Sequence, residues 1–260
     1  MRAVARLGAA VVGVALALAG CASAPAAPAR SAAPMTSPVV KQKVVVFAAA
    51  SLTAAFKELA TQAPGLDISY TFDGSPTLVE QLNAKPDVAD VLATADEPNM
   101  KKASDAQLIK AQPTIFATNT AVLIVPKDNP GKVTGLNDSL TGKKLVVCAP
   151  SVPCGAAART IAQNAGYSLQ PVSEEQKVTD VVGKVTSGEA DAGIAFSTDA
   201  KSAGDKVATI QLPGADKVVS RYPLAVTGKS TRPEAAAAFV QLVTGEKGRA
   251  VLTRYGFTLP

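Results

Sequence analysis

The sequence has no histidine and no tryptophan, and aromatic residues make up only 4% of its 260 positions. The missing histidine removes the commonest general base and the commonest borderline metal ligand. A Ser-His-Asp triad is therefore excluded. No serine has a lysine three positions on, which excludes the serine–lysine pair of the penicillin-binding type, and no G-x-S-x-G elbow occurs. Cysteine is scarce as well: Cys21, Cys148 and Cys154 are the only three. The Cys148-x5-Cys154 interval is not a zinc spacing, and no further Cys or His exists to complete such a site. Basic residues never run longer than a pair, whereas a nucleic-acid footprint would cluster them. These absences point away from catalysis and from nucleic acid, toward a binding protein that is not an enzyme and needs no cofactor.

What is present begins with the N-terminus. Arg2 and Arg6 precede an apolar run from Leu7 to Ala19, too short to span a bilayer as a stable helix. It ends in Leu18-Ala19-Gly20-Cys21, which resembles a bacterial lipoprotein signal with Cys21 as the lipidated residue. The alternative is an ordinary secretory signal with an incidental cysteine. Residues 21–40 are rich in Ala, Pro and Ser and read as a flexible tether. The expectation is an extracytoplasmic protein held by lipid to the outer face of the cytoplasmic membrane. Removing residues 1–20 takes two arginines from a formal charge of +5, leaving 5 − 2 = +3. In an oxidising compartment the two nearby cysteines, Cys148 and Cys154, suggest a disulfide, with two free thiols as the alternative. So short a loop gains only about 2–3 kcal/mol from chain entropy.

Beyond the tether, strand-like and helix-like segments alternate. Val44–Ala48 is a β-branched and aromatic run of the kind buried on both faces of a sheet. Leu52–Ala60 has helical spacing, Asp67–Phe72 reads as a strand, and Pro76–Ala84 as a helix. Asp90–Thr94, Ala121–Pro126, Lys144–Cys148, Ala192–Phe196, Val207–Leu212 and Tyr222–Val226 read as further strands. Pro98–Ala106, Gly155–Asn164, Val181–Ser187, Pro233–Leu242 and Lys247–Arg254 read as further helices. No internal repeat is evident. The alternation predicts an α/β class, with parallel or mixed sheets flanked by helices. Ligands of such folds bind beyond the carboxyl ends of the strands, where helices begin.

Four such junctions share one character. Ser51 precedes Leu52 after the small residues Ala48, Ala49 and Ala50. Ser75 precedes Pro76 in FDGSPTLVEQL, which reads as a serine cap with proline at the first helical position. Pro150-Ser151-Val152-Pro153-Cys154-Gly155 leads into a helix, and Thr179-Asp180-Val181 opens another. Each start offers unpaired backbone N–H groups and the positive end of a helix dipole. Several of them around one cleft form an anion site without basic side chains.

The words VFAAASLTAAFKELA, YTFDGSPTLVEQL, ADVLATADEPNM, VPCGAAA, GIAFSTDA and RYGFTLP resemble, in this order, the molybdate-binding proteins of ABC importers, from about Val44 to Pro260. The resemblance implies a two-lobed periplasmic-binding fold of type II with two hinge crossings. Lobe one covers 41–122 and 222–260, and lobe two covers 123–221. It implies a tetrahedral dianion, molybdate or tungstate, held between the lobes by hydroxyls and backbone N–H groups, and delivery to a membrane permease by a monomeric receptor. Residue by residue, the ligand serines fall on Ser51 and Ser75, and the ligand amides on Cys154 and Val181, with no metal held directly by side chains. Ala50, Gly74, Pro153 and Phe196 line the cleft. Two departures are plain: the family's tyrosine in G-I-x-Y is Phe196 here, and Pro76 removes one N–H.

A site made only of donors cannot accept a hydrogen bond, so it rejects a protonated anion such as hydrogen phosphate. Sulfate carries the same charge as molybdate on shorter bonds, so a receptor for sulfate, phosphate or another oxyanion is the rival expectation. A surface adhesion protein is the more distant rival.

Overall fold

The computed structural model describes residues 41–260. The expected signal, the tether and Cys21 lie outside the described residues. In chain order the elements are β1 (Gln42–Ala49), a 3-10 turn (Ala50–Leu52), α1 (Thr53–Thr61), β2 (Leu66–Asp73), α2 (Ser75–Ala84), β3 (Val91–Ala93), α3 (Glu97–Asp105), β4 (Thr114–Asn119) and β5 (Ala121–Pro126). They continue with β6 (Leu145–Cys148), α4 (Pro153–Asn164), β7 (Ser173–Glu175), α5 (Val178–Thr186), β8 (Ala192–Phe196), α6 (Ser197–Ala203), β9 (Val207–Ile210), β10 (Ser220–Val226), α7 (Pro233–Thr244) and α8 (Glu246–Arg254).

The strands form two mixed five-stranded sheets, ordered β2-β1-β3-β10-β4 and β7-β6-β8-β5-β9. The plan is the same in both. Three parallel strands come first, and the fourth is an antiparallel strand that has just arrived from the other sheet, β10 in one and β5 in the other. β1 sits inside its sheet, and its Val44, Val46, Phe47 and Ala48 are buried, as its unbroken apolar run requires. β6, with Leu145 to Cys148 all buried, is its counterpart.

The chain passes from the first sheet to the second at Thr120, and returns across residues 211–219. Ala121 and Val122, expected in the first lobe, pair with Phe196 and Ala195 in the second sheet. Ser220 and Arg221, expected in the second lobe, pair with Asn119 and Thr118 in the first. The sequence gives little sign of this crossing, because only Thr120 separates β4 from β5. The C-terminal GFT word reinforces this crossing. Thr118 and Thr258 exchange both backbone hydrogen bonds, at 2.7 and 3.0 Å, and Phe257 packs edge-on against Tyr222 with ring centres 5.3 Å apart.

Two carboxylates of the first lobe are satisfied by ordinary means. Asp90 is fully buried, yet its carboxylate accepts from the Val45 N–H, Ser230 Oγ and Arg232 Nε, which satisfies the rule that buried charge be paired. α3 is capped by Asp96, whose carboxylate accepts from the Asn99 N–H at 3.0 Å.

Candidate functional site

The helix starts that follow β1, β2, β6 and the loop before α5 line a small cavity between the sheets. From the first lobe it is lined by Ala49, Ala50, Ser51, Asp73, Gly74, Ser75 and Ala95. From the second it is lined by Val152, Pro153, Cys154, Val178 and Phe196. The space open to the centre of a water-sized sphere is about 10 Å³, which is about one such sphere. No lysine or arginine is among the lining residues. The cavity therefore suits one compact guest, held by dipoles and hydrogen bonds rather than by a salt bridge.

The local structure departs from the capping expectation at both serines. The residue flanking α2 is Gly74, and Ser75 is already inside the helix, with Pro76 behind it. The residue flanking the 3-10 turn is Ala49, and Ser51 lies within that turn, so neither serine caps its helix. Their oxygens are engaged elsewhere. Ser75 Oγ accepts from the Ala95 N–H at 3.0 Å, and Ser51 Oγ lies 3.0 Å from Tyr222 Oη. Both hydroxyls thus reach the cavity with their far side already occupied.

On the opposite wall, Pro153 and Cys154 are the first two residues of α4. The Cys154 N–H has no partner among the described residues. Cys148 and Cys154 are joined by a disulfide, with Cα atoms 5.6 Å apart, so the end of β6 is tied to the start of α4. Gly155 is needed there: a Cβ on it would lie 2.0 Å from the Ala149 carbonyl oxygen and 2.3 Å from that of Cys148. Gly74 is the second close approach. A Cβ on it would lie 2.1 Å from the carbonyl oxygen of Gln176 in the other lobe. Asn99 Nδ2 also reaches across, donating to the Ser151 carbonyl at 3.3 Å.

The fourth junction differs from the sequence expectation. α5 begins at Val178, after Lys177, and not at Thr179–Val181. Val181 is the fourth residue of that helix, about one turn in from its start. Its side chain is buried against Gly193, whose Cβ position would be only 2.7 Å from Val181 Cγ1. Val178 lines the cavity, and its N–H has no partner among the described residues. The sequence signal was misleading because Thr179 and Asp180 look like cap residues, whereas the real start has no side-chain cap. The other starts around the cavity likewise lack one.

Phe196 is buried and lines the cavity, and no phenolic hydroxyl is supplied from that position. Its neighbour Tyr222, 6.0 Å away between ring centres, was not singled out by sequence reasoning. Asp73 was also missed. It turns its carboxylate to accept from the Gly74 N–H at 2.8 Å, a negative group at the rim of an otherwise uncharged lining. A larger adjoining cavity, about 230 Å³ by the same measure, shares Ala50 and Ser51 and is bounded by Thr53, Thr179 and Asp199. Asp199 is buried, and its Oδ2 has no hydrogen-bond partner among the described residues. Burial pushes its pKa up to about 7, while a hydrogen bond from the Phe196 amide pulls in the opposite direction.

Comparison with known proteins agrees with this geometry. Residues 44–258 match the family model described as bacterial extracellular solute-binding protein. The chain is 41% identical over 244 residues to the molybdate-binding protein ModA of Mycobacterium tuberculosis (strain ATCC 25618 / H37Rv), covering 92% of this chain and 90% of the relative. It is 32% identical over 232 residues to ModA of Escherichia coli (strain K12), covering 84% and 89%. Among solved structures, the periplasmic molybdate-binding protein of Azotobacter vinelandii superposes with a TM-score of 0.73 at 20% identity, over 84% of this chain and 99% of that one. The sulfate-binding protein SubI of Mycobacterium tuberculosis H37Rv superposes with a TM-score of 0.67 at 17% identity, over 84% and 86%. These structural likenesses establish a two-lobed fold shared by receptors named for different oxyanions. The chain belongs to the bacterial extracellular solute-binding protein family.

Proposed function

We propose that this protein captures molybdate, and tungstate with it, in the cavity between its lobes and delivers it to the permease of an ABC importer. The observation that carries this reading is the convergence of two hydroxyls, Ser51 and Ser75, with two unpartnered helix-start amides, Cys154 and Val178, on one small cavity without a cationic side chain. Four donors and the positive ends of three helices and a 3-10 turn are what a tetrahedral dianion needs. Kinship to ModA proteins supports molybdate as the anion. The Cys148–Cys154 bond holds the Cys154 amide in place before the ligand arrives, which reduces the ordering cost of binding. Contacts from both lobes let the anion favour the closed arrangement. In this reading the receptor acts as a monomer without a cofactor, anchored outside the cytoplasmic membrane through Cys21.

The second reading is sulfate. Two observations favour it: the missing hydroxyl at Phe196, and the fold shared with a sulfate-binding protein. Calorimetric titration of the tether-free protein with molybdate, tungstate, sulfate and phosphate decides between them. The expected order is molybdate and tungstate together, with sulfate and phosphate weaker. Sulfate binding tighter than molybdate would overturn the proposal.

A further inference from the structure

Behind Ser51 lies a hydrogen-bond chain whose direction can be worked out atom by atom. It starts at Asn119, the last residue of β4. The Thr120 N–H donates to one atom of the Asn119 side-chain amide at 3.0 Å, and Ser197 Oγ lies 2.8 Å from the same atom. A backbone N–H can only donate, so that atom is the oxygen. The amide nitrogen then faces Thr198 Oγ1 at 2.7 Å and Tyr222 Oη at 3.3 Å. It has two hydrogens and accepts nothing, so Tyr222 Oη receives a hydrogen bond from Asn119.

The Tyr222 hydroxyl must place its own hydrogen somewhere. The side chain is completely buried, among Phe116, Phe196 and Phe257, and burial keeps it protonated far above the ordinary tyrosine range. Its remaining partner among the described residues is Ser51 Oγ, at 3.0 Å. The distance alone does not say which of the two oxygens donates. If Ser51 donated, the Tyr222 hydrogen would be buried without an acceptor, an arrangement that costs about 1–3 kcal/mol. Tyr222 therefore donates to Ser51. The hydrogen of Ser51 is left without a protein partner among the described residues, in a residue that lines the cavity.

We infer that Tyr222, oriented by Asn119, is a positioning residue that makes Ser51 a donor toward the bound oxyanion. The inference rests on the proposed anion site. It supplies the reason both serines donate into the site: Ser51 receives from Tyr222, just as Ser75 receives from the Ala95 amide. It also gives a role to a tyrosine that does not line the cavity.

A double-mutant cycle on the tether-free protein tests it, with molybdate titrated into the wild type, Tyr222→Phe, Ser51→Ala and the double variant. Tyr222→Phe keeps the ring and its packing, and thermal melting of each variant without ligand confirms that it folds. Ser51→Ala is expected to weaken molybdate binding roughly 30-fold, as for a lost hydrogen bond to a charged ligand. Tyr222→Phe is expected to weaken it about 10-fold in the wild type and less than about 2-fold in the Ser51→Ala background, because the effect passes through Ser51. Equal losses in the two backgrounds, or no loss from Tyr222→Phe, would overturn the inference while leaving the site intact. No loss from Ser51→Ala would overturn the site itself, and the inference with it.

Discussion

Ser51 and Ser75 bring the same hydroxyl to the same cavity from the same sheet, yet their oxygens are held in different ways. Behind Ser75 stands a backbone amide, that of Ala95. It can only donate, and the chain itself fixes its direction. Behind Ser51 stands a relay of side chains, Asn119 and Tyr222. Asn119 also takes a hydrogen bond from Ser197 and gives one to Thr198, both on α6 of the other lobe. Ser75 is thus fixed within its own lobe, while Ser51 is tied to the crossing at Thr120 where the lobes join. The difference shows two routes to one outcome: a local route that is rigid, and a longer one that links ligand contact to lobe geometry.

The largest expected effect comes from separating Ser75 from the opposite wall. Gly74 has φ −61° and ψ 140°, a conformation open to any residue, so Gly74→Ala leaves the first lobe unstrained. Its Cβ would nevertheless meet the Gln176 carbonyl at 2.1 Å. The lobes must then part, which carries Ser75 away from Cys154 and Val178. Overpacking of this kind costs about 3 kcal/mol at the upper end, or roughly 100-fold in affinity. We expect calorimetry to show that loss, with the melting temperature of the unliganded protein unchanged. Unaltered affinity would mean that Gly74 does not set the closed distance.

A smaller effect sets the two serines directly against each other. Ser75→Ala and Ser51→Ala each remove one donor to the anion and should weaken molybdate binding similarly, roughly 10- to 100-fold. Their effects on the unliganded protein should differ. Without Ser75 the Ala95 N–H is buried with no partner, which costs about 1–3 kcal/mol. Without Ser51 the Tyr222 hydroxyl also loses its acceptor, but Ser51 borders the larger adjoining cavity of about 230 Å³. A water there can take its place at little cost. Chemical denaturation should therefore rank Ser75→Ala as less stable than Ser51→Ala. The reverse order would contradict the assignment of the backbone-held corner as the rigid one.

The sequence makes the alternation of strands and helices legible, because runs such as Val44–Ala48 and Leu145–Cys148 are buried on both sides and carry their own period. β4, β7 and α6 escape it. β7 is a three-residue edge strand of Ser and Glu, and α6 opens directly from the strand before it. The cavity is mostly legible as well, since small residues and serines at strand ends are strong local words. Val181 in place of Val178 shows where reading fails. Cap residues signal helix starts that are closed by their own side chains, whereas a helix start that receives a ligand stays uncapped. The relay through Asn119 and Tyr222 could not be read at all. It joins residues 171 positions apart and 103 positions apart, and only the fold brings them together.

The smallest expected effect on affinity is one of pH, and it belongs to the Ser51 corner. Asp199 shares the adjoining cavity with Ser51, and its pKa is pushed up to about 7 by burial, from the ordinary 3.8. The folded protein therefore holds a proton on Asp199 between about pH 4 and pH 7, where the unfolded chain has released it. This contribution to stability is fully present below the unfolded value and is lost as pH rises through the folded one. The fall is on the order of 4 kcal/mol. Above pH 7 the ionised carboxylate also adds negative charge beside Ser51, so a dianion should bind a few-fold more weakly at pH 8 than at pH 6. Asp199→Asn should remove both trends, leaving a melting temperature and a molybdate affinity with less dependence on pH. Titrations of wild type and Asp199→Asn at pH 6 and pH 8 provide the check. Parallel pH dependence in the two proteins would show that the charge felt at Ser51 comes from elsewhere, and that the two serine corners differ in geometry alone.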